Sequence, residues 1–376
     1  MSRSGPTVRR DRLHSLMDEF GLSAAVLSDP KTVYYLSGFV RPSVNFVPAY
    51  LVLRSNGEDV LVTGETVKAS ASGFDGRVTT FENYALTSRM LARHDYAASF
   101  LYDVLKGGEM EKVGVESWHT PEAVLGSVRR ASPGSRLVDL SKPIEKMRAL
   151  KDPDEVRLIE KSCRLVDYAY KVAKSVSSPG VSELEVYASV QKEVVLRAGG
   201  FQYFSGDFKA GARSEDPNSS GEPTRALLRK GRTLMLDLWA TTKGYWADTC
   251  RTFLVGGSPT REQERAYRAV KKALKAGADE LRPGARASEV YRVIDHAITD
   301  SGYGGHFPHH GGHCVGLDAW EPPFIIPGSN EVLEAGMVCA LEPGIYLRRT
   351  AGVCLEDNYL VTHEGPVPLS KYPLSW

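Results

Sequence analysis

Asp237 and Asp248 each interrupt an otherwise apolar run within TLMLDLWATTKGYWADTCRTF, residues 233–253. The stretch reads as two strands and a tight turn. Thr233–Ala240 is mostly apolar, Thr241-Thr242-Lys243-Gly244 is turn-like, and Tyr245–Phe253 is β-prone. Pairing Ala240 with Tyr245 across a four-residue turn sets Asp237 directly opposite Asp248. Burying one unpaired carboxylate is expensive, and two like charges on opposed strand positions repel, so something positive must sit between them. Arg251 is near in sequence, but it lies an odd number of positions from Asp248 and on a regular strand points to the other face. A metal dication is the better counter-charge, with its remaining ligands drawn from elsewhere in the chain.

An internal repeat supplies them. Pro179-Gly180 precedes Glu185-Val186-Tyr187, and Pro283-Gly284 precedes Glu289-Val290-Tyr291 at the same offset. Paired glycines follow each helical stretch, Gly199-Gly200 and Gly304-Gly305. Gly231 then leads the strand carrying Asp237, and Gly336 leads a similar strand carrying Glu342. Residues 153–256 therefore match residues 259–364, each half reading as helix, helix and a strand pair with an acid on each strand: Asp237 and Asp248, then Glu342 and Glu356. A pseudo-two-fold axis would bring these four carboxylates to one centre. One imidazole joins them from HFPHHGGH, residues 306–313. A carboxylate-rich set with one histidine suits manganese, cobalt, iron or zinc, whereas a structural zinc site favours thiolates. Four carboxylates exceed what one ion needs. Two divalent ions about 3.5–4 Å apart, bridged by carboxylates and an activated water, would account for all of them.

The elements that position these groups read as follows. Asp152-Pro153-Asp154-Glu155 is a helix start, with an N-cap, proline at the first position and acids in the first turn. Ser182 with Glu185 is a capping box opening the next helix. Residues 1–145 form a separate α/β unit without a titratable cluster. They hold a helix over Arg10–Phe20, a strand at Ala24–Leu27, a hairpin over Tyr50–Val62 turning at Ser55-Asn56-Gly57, and strands at Lys112–Glu116 and Arg136–Leu140. This unit reads as a scaffold or dimerisation domain, followed by a catalytic domain over 146–376. The net charge of +1 excludes nucleic acid or a membrane surface as a bulk electrostatic partner. No apolar run approaches the ~18 residues of a membrane span, and the basic N-terminus lacks the apolar core of a signal peptide. Five cysteines without framework spacing point to free thiols in the cytoplasm. Cys250, Cys314, Cys339 and Cys354 lie close to proposed ligands and read as small apolar filler.

These residues carry a family resemblance. The chain resembles the pita-bread metallohydrolases, the group of Xaa-Pro dipeptidase (prolidase), aminopeptidase P and creatinase. The resemblance runs through RLHSLMDEFGLSAAVLSDPKTVYYLSGF, IEKMRALKDPDEV, MLDLWATTKGYWADTCRTF, HHGGHCVGLDAWEPP, ALEPGIYL and GVCLEDNYLVT. It implies an α+β fold: a creatinase-like α/β N-terminal domain, then a pita-bread domain with a pseudo-two-fold repeat, in a homodimer. It implies that Asp237 binds one metal, that His313 and Glu342 bind the second, and that Asp248 and Glu356 bridge. Glu342 is also implied as general base for a bridging hydroxide, and His309 matches a substrate-site histidine. The reaction implied is cleavage of Xaa-Pro bonds in dipeptides or short peptides, with manganese the expected metal. Three positions depart from the pattern: Ser220 and Trp320 stand where the peptidases carry histidine, and Cys354 stands where they commonly carry arginine. His306 and His310 are candidate replacements. The departures motivate an alternative, a family member that hydrolyses a non-peptide C–N bond or acts as a lyase. A binding module with a relic site is a third reading, and five intact ligands speak against it.

Overall fold

The computed structural model describes residues 5–39, 47–83, 93–107, 110–200 and 202–376. The chain divides into two compact units, Met1–Met147 and Arg148–Trp376. The first unit is an α/β layer. Its helices are α1 (Gly5–Phe20), α2 (Pro30–Ser37), α3 (Arg93–Leu105), α4 (Glu122–Ala131) and α5 (Ser141–Ala149, running into the junction). Its strands are β1 (Ala24–Leu27), β2 (Tyr50–Arg54), β3 (Val60–Gly64), β4 (Arg77–Phe81), β5 (Lys112–Val115) and β6 (Arg136–Asp139), in the sheet order β4-β3-β2-β1-β5-β6. β2 and β3 pair as the antiparallel hairpin that the Ser55-Asn56-Gly57 turn predicts. The first helix already runs from Gly5, ahead of the expected Arg10, and buries Arg9, Arg10, Leu13 and Met17. Buried arginines hide the apolar period there: Arg10 is held by Asp59 at 2.9 Å and Arg9 donates to the Tyr35 carbonyl at 2.8 Å.

The second unit begins with α6 (Pro153–Val176), opened by the Asp152–Glu155 capping box, and α7 (Glu183–Ala198), opened by Ser182–Glu185 and closed by left-handed Gly199. β7 (Phe204–Ala210), β8 (Thr233–Thr242) and β9 (Tyr245–Leu254) form an antiparallel sheet in the order β7-β8-β9. The second half opens on α8 (Arg261–Glu280) and α9 (Ala287–Ile298). β10 (Gly312–Cys314), β11 (Glu321–Ile325), β12 (Val338–Leu341), β13 (Gly344–Leu347), β14 (Ala351–Cys354), β15 (Asp357–Leu360) and β16 (Val367–Pro368) follow.

The repeat is visible bond by bond. Gly180 N donates to the Leu228 carbonyl at 2.9 Å, and Gly284 N to that of Leu333 at 2.9 Å. Leu228 N returns to Val181, as Leu333 N returns to Ala285. Gly231 N reaches Val255 at 2.8 Å, as Gly336 N reaches Val361 at 2.9 Å. The two halves thus make the same turns before each helix and at each strand start. This is the pita-bread α+β fold.

Two register expectations are corrected. The β8–β9 hairpin turns on two residues, not four: Thr242 pairs with Tyr245, and Lys243 and Gly244 take φ of 50° and 83°. Positive φ at both central positions is the turn whose twist matches a hairpin, so Thr241 and Thr242 stay in the strand. Asp237 then faces Cys250, and Asp248 faces Trp239. The aspartates are diagonal neighbours on one face of the sheet, still within mutual reach. In the second half, Glu342 and Glu356 do not lie in regular strands. β12 pairs with β15 and β13 with β14, and the interruption between the two ladders falls at Glu342-Pro343 and Leu355-Glu356. Pro343 has no N–H for the ladder, so a continuous hairpin cannot form there.

Candidate metal centre

β8 and β9 present Asp237 and Asp248 on the same face, and β7 extends that face, with Asp207 directly opposite Asp237. Asp248 is fixed through its backbone: its N–H donates to Asn358 Oδ1 at 3.1 Å, and its carbonyl accepts from Asn358 Nδ2 at 2.6 Å. Glu356 is tied to the first half by its N–H, which donates to the Cys250 carbonyl at 2.9 Å. Gly312 makes the approach of β10 to β12 possible. It sits at φ +145°, and a Cβ there would lie 2.0 Å from the Ala340 carbonyl oxygen. His313, the next residue, is 1% exposed.

The donors converge. Asp248, His313 and Glu356 each bring a ligand atom within 4.8 Å of the others. His313 Nε2 lies 3.8 Å from Asp248 Oδ2 and 3.6 Å from Glu342 Oε1. Those gaps are too long for hydrogen bonds. Two donors about 2.1 Å from one ion lie roughly 3–4 Å apart, which is the spacing found. His313 Nδ1 is 3.0 Å from the Cys314 carbonyl, an acceptor only, so Nδ1 carries the proton and Nε2 keeps its lone pair toward the carboxylates. Asp237 Oδ1, Asp248 Oδ1 and Glu356 Oε1 are buried with no hydrogen-bond partner. Buried oxygens without donors need a cation or a proton. The chemistry of the donor set and its unsatisfied oxygens fit divalent metal.

The electrostatics agree. Burial, then the charges of Asp248 and Glu342, push Asp237 well above the usual carboxylate range. Burial pushes Asp248 up to about 7. Glu342 is raised by burial, then by Cys354 and Asp248, and Glu356 by burial, then by Asp248 and Asp237. Burial lowers His313 to about 4, so its imidazole is neutral at pH 7. Arg251 is not the counter-charge. It points away from this face, is itself buried, and pairs with Asp357 at 2.6 Å while donating to the Glu356 and Tyr372 carbonyls.

His309 lies beside the centre. Its Nδ1 is 2.9 Å from the His310 carbonyl and its Nε2 is 3.0 Å from the Tyr346 hydroxyl. Nδ1 must donate to the carbonyl, so Tyr346 donates to Nε2. Burial lowers His309 to about 4. Gly344 leaves room for this pair, since a Cβ there would meet both Tyr346 and His309 at about 3 Å. His310 Nδ1 lies 3.3 Å from Glu342 Oε1. His306 is exposed and enters the frame through its backbone, its carbonyl accepting from Tyr346 N at 3.3 Å.

Of the three departures, Trp320 stands at the centre, with its ring 5.7 Å from that of His313. Cys354 packs with Met235, Cys250 and Tyr346. Ser220 is exposed, and its carbonyl is taken by Arg213. Three contributors escaped sequence reasoning. Asp207 was signalled by the alternation of Phe204–Ala210, whose members are buried and half-buried in turn. Asn358 and Tyr346 gave no signal short of the fold.

Fold and site together define a hydrolase of the metallopeptidase class. The chain belongs to metallopeptidase family M24, which it matches over residues 157–363; residues 9–150 match the creatinase/prolidase N-terminal domain. It is 28% identical over 360 residues to an Xaa-Pro dipeptidase of Pyrococcus horikoshii, spanning 96% of each chain. It is likewise 28% identical over 364 residues to an Xaa-Pro dipeptidase of Lactobacillus delbrueckii, again 96% of each. The solved prolidase of Pyrococcus furiosus superposes with a TM-score of 0.78 at 28% identity, covering 95% of this chain and 99% of that one. An X-Pro aminopeptidase from Thermotoga maritima shares the fold at a TM-score of 0.82 with 20% identity, covering 96% and 99%.

Proposed function

We propose that this protein is a dinuclear metal-dependent peptidase cleaving Xaa-Pro bonds in dipeptides or short peptides. Asp237, Asp248, His313, Glu342 and Glu356 would hold the ions. The observation that carries the reading is the set of buried, partnerless oxygens on Asp237, Asp248 and Glu356 around the lone pair of His313. When bound, the ions supply Lewis acidity and lower the pKa of a water so that it can attack at neutral pH.

The chain's own residues do the rest. Glu342, whose Oε1 lies 3.6 Å from His313 Nε2 at the centre, is the base that takes a proton from the attacking water. His309, neutral and with its proton on Nδ1, has one lone pair at Nε2; the Tyr346 hydroxyl occupies it in the free enzyme, and a substrate donor takes that place on binding. Asn358 keeps Asp248 in place from behind. Hard oxygen donors favour manganese. All five cysteines are free, which supports a reducing, cytoplasmic setting. Among the described residues no helix is long and apolar enough to cross a membrane. The family resemblance supports a homodimer.

The test is steady-state turnover of the manganese- or cobalt-loaded protein on Xaa-Pro dipeptides and Xaa-Pro-Yaa tripeptides, with metal content read on the same sample. Release of proline from dipeptides supports a prolidase, and tripeptide cleavage an aminopeptidase P. Two bound ions with no turnover on either class would overturn the peptidase reading.

A further inference from the structure

Trp320 is 63% exposed, although it is one of the largest apolar side chains in the protein. Its ring nevertheless lies 5.7 Å from that of His313 and 6.1 Å from that of His310. An indole left to water beside a metal-ligand imidazole is an unfilled wall, and the loop that carries it is held on both sides. On the β9 side, Trp246 N donates to the Gly316 carbonyl at 2.8 Å, and Trp246 Nε1 donates to that of Leu317 at 3.2 Å. On the other, Glu321 takes Lys151 at 2.8 Å and Arg148 at 2.8 Å, and Arg148 also reaches Asp318. Lys151 and Glu321 are themselves buried. Asp318 N closes the loop onto Glu321 Oε1 at 3.1 Å. Gly316 lies so close over that carboxylate that a Cβ would meet it at 2.5 Å. A buried lysine and a half-buried arginine on one carboxylate fix where the loop stands, so the exposed indole is not there by default of packing.

The chemistry of the indole narrows what it meets. Tryptophan has one N–H donor and no acceptor, so this position cannot shuttle a proton as an imidazole could. It offers instead a broad, electron-rich, apolar face. We propose that Trp320 is a specificity-determining residue whose indole packs against the saturated ring of the residue after the scissile bond. The enzyme therefore favours a proline there over an open-chain N-alkyl residue of the same charge. This inference rests on the Xaa-Pro reading and assigns the wall of that site.

The test compares Ala-Pro with Ala-sarcosine, in which the ring is absent but the tertiary amide and carboxylate remain, on manganese-loaded wild type, Trp320→Ala and Trp320→Phe. The ratio of kcat/KM for proline over sarcosine substrate falls about tenfold in Trp320→Ala, carried by KM, and Trp320→Phe retains part of it. Calorimetric binding of L-proline and of sarcosine to the same three proteins gives the same ordering without turnover. Equal losses on both substrates, or a ratio that stays at the wild-type value, would overturn the wall. So would a Trp320→Ala protein whose oligomeric mass changes while ring preference does not, because the indole would then be covering a second copy. If wild type cleaves neither substrate, the peptidase reading fails. The wall then stands or falls on whether the proline preference in binding disappears with the indole.

Discussion

Removing the metal exposes the protein to the repulsion that the metal offsets, and Asp248 makes the size of that effect calculable. Its carboxyl titrates near 3.8 when exposed and is pushed up to about 7 in the folded chain by burial. A carboxyl whose folded pKa is raised keeps its proton in the folded state after the unfolded chain has lost its own. Stability of the metal-free protein therefore falls as pH rises through the window from about 4 to about 7, and the loss is complete above it. A tenfold difference in proton affinity between the folded and unfolded chain is worth ~1.4 kcal/mol, so the penalty from this residue at pH 8 is about 2–4 kcal/mol. Asp237, Glu342 and Glu356 are raised in the same direction. Asp248→Asn removes the charge and keeps the shape. In chelator-treated protein at pH 8 it should raise Tm by roughly 4–15 °C, taking 2–4 °C per kcal/mol for a domain of this size. At pH 4.5 the same substitution should change Tm little. In manganese-loaded protein it should instead lower Tm and abolish turnover. The assay is thermal unfolding of both proteins, with and without chelator, across pH 4.5–8. A metal-free wild type whose Tm is flat across that range, or an Asp248→Asn that destabilises the metal-free protein at pH 8, would refute the reasoning.

Other consequences are quicker to check. His309→Ala should lower kcat/KM about 100-fold, with Tm nearly unchanged because His309 lies at the edge of the buried centre; an effect under threefold would remove it from the substrate site. Arg251→Met leaves Asp357 buried without its partner and should cost about 3–5 kcal/mol in urea unfolding, part of it restored by adding Asp357→Asn; additivity of the two would mean that they do not act as a pair. Gly312→Ala forces a Cβ onto the Ala340 carbonyl from a φ that side chains avoid, and should destabilise by about 1–3 kcal/mol and weaken manganese affinity; wild-type behaviour in both would show that β10 has slack.

Much of the site was legible because burial of charge leaves a mark in a sequence. An aspartate inside LMLDLW or YWADTC has no reason to be there without a counter-charge, and the repeat told which glutamates share the centre. The odd spacing of Arg251 correctly sent it to the other face, where Asp357 holds it. What failed was register. Whether Thr241 and Thr242 belong to the turn or the strand depends on Lys243 tolerating positive φ, a preference too weak to read from residue types. A slip of two residues keeps every side chain on its face, so the aspartates stayed together even though the predicted opposition was wrong. The break in the second hairpin follows from Pro343, whose missing N–H the analogy to the first half leaves out of account. Asp207 was missed because its strand matters only once β7 is known to lie beside β8. Asn358 acts through a contact between the halves and Tyr346 through one with His309 inside the second half, and spacing along the chain encodes neither.

Calorimetric titration of manganese into chelator-treated protein at pH 7.5 would decide whether the five proposed side chains hold two divalent ions in one buried centre. Two ions should bind per chain, with proton release as Asp237, Glu342 and Glu356 ionise, and this binding should be lost in Asp248→Asn. No binding to the wild-type protein, or binding that survives Asp248→Asn unchanged, would contradict it.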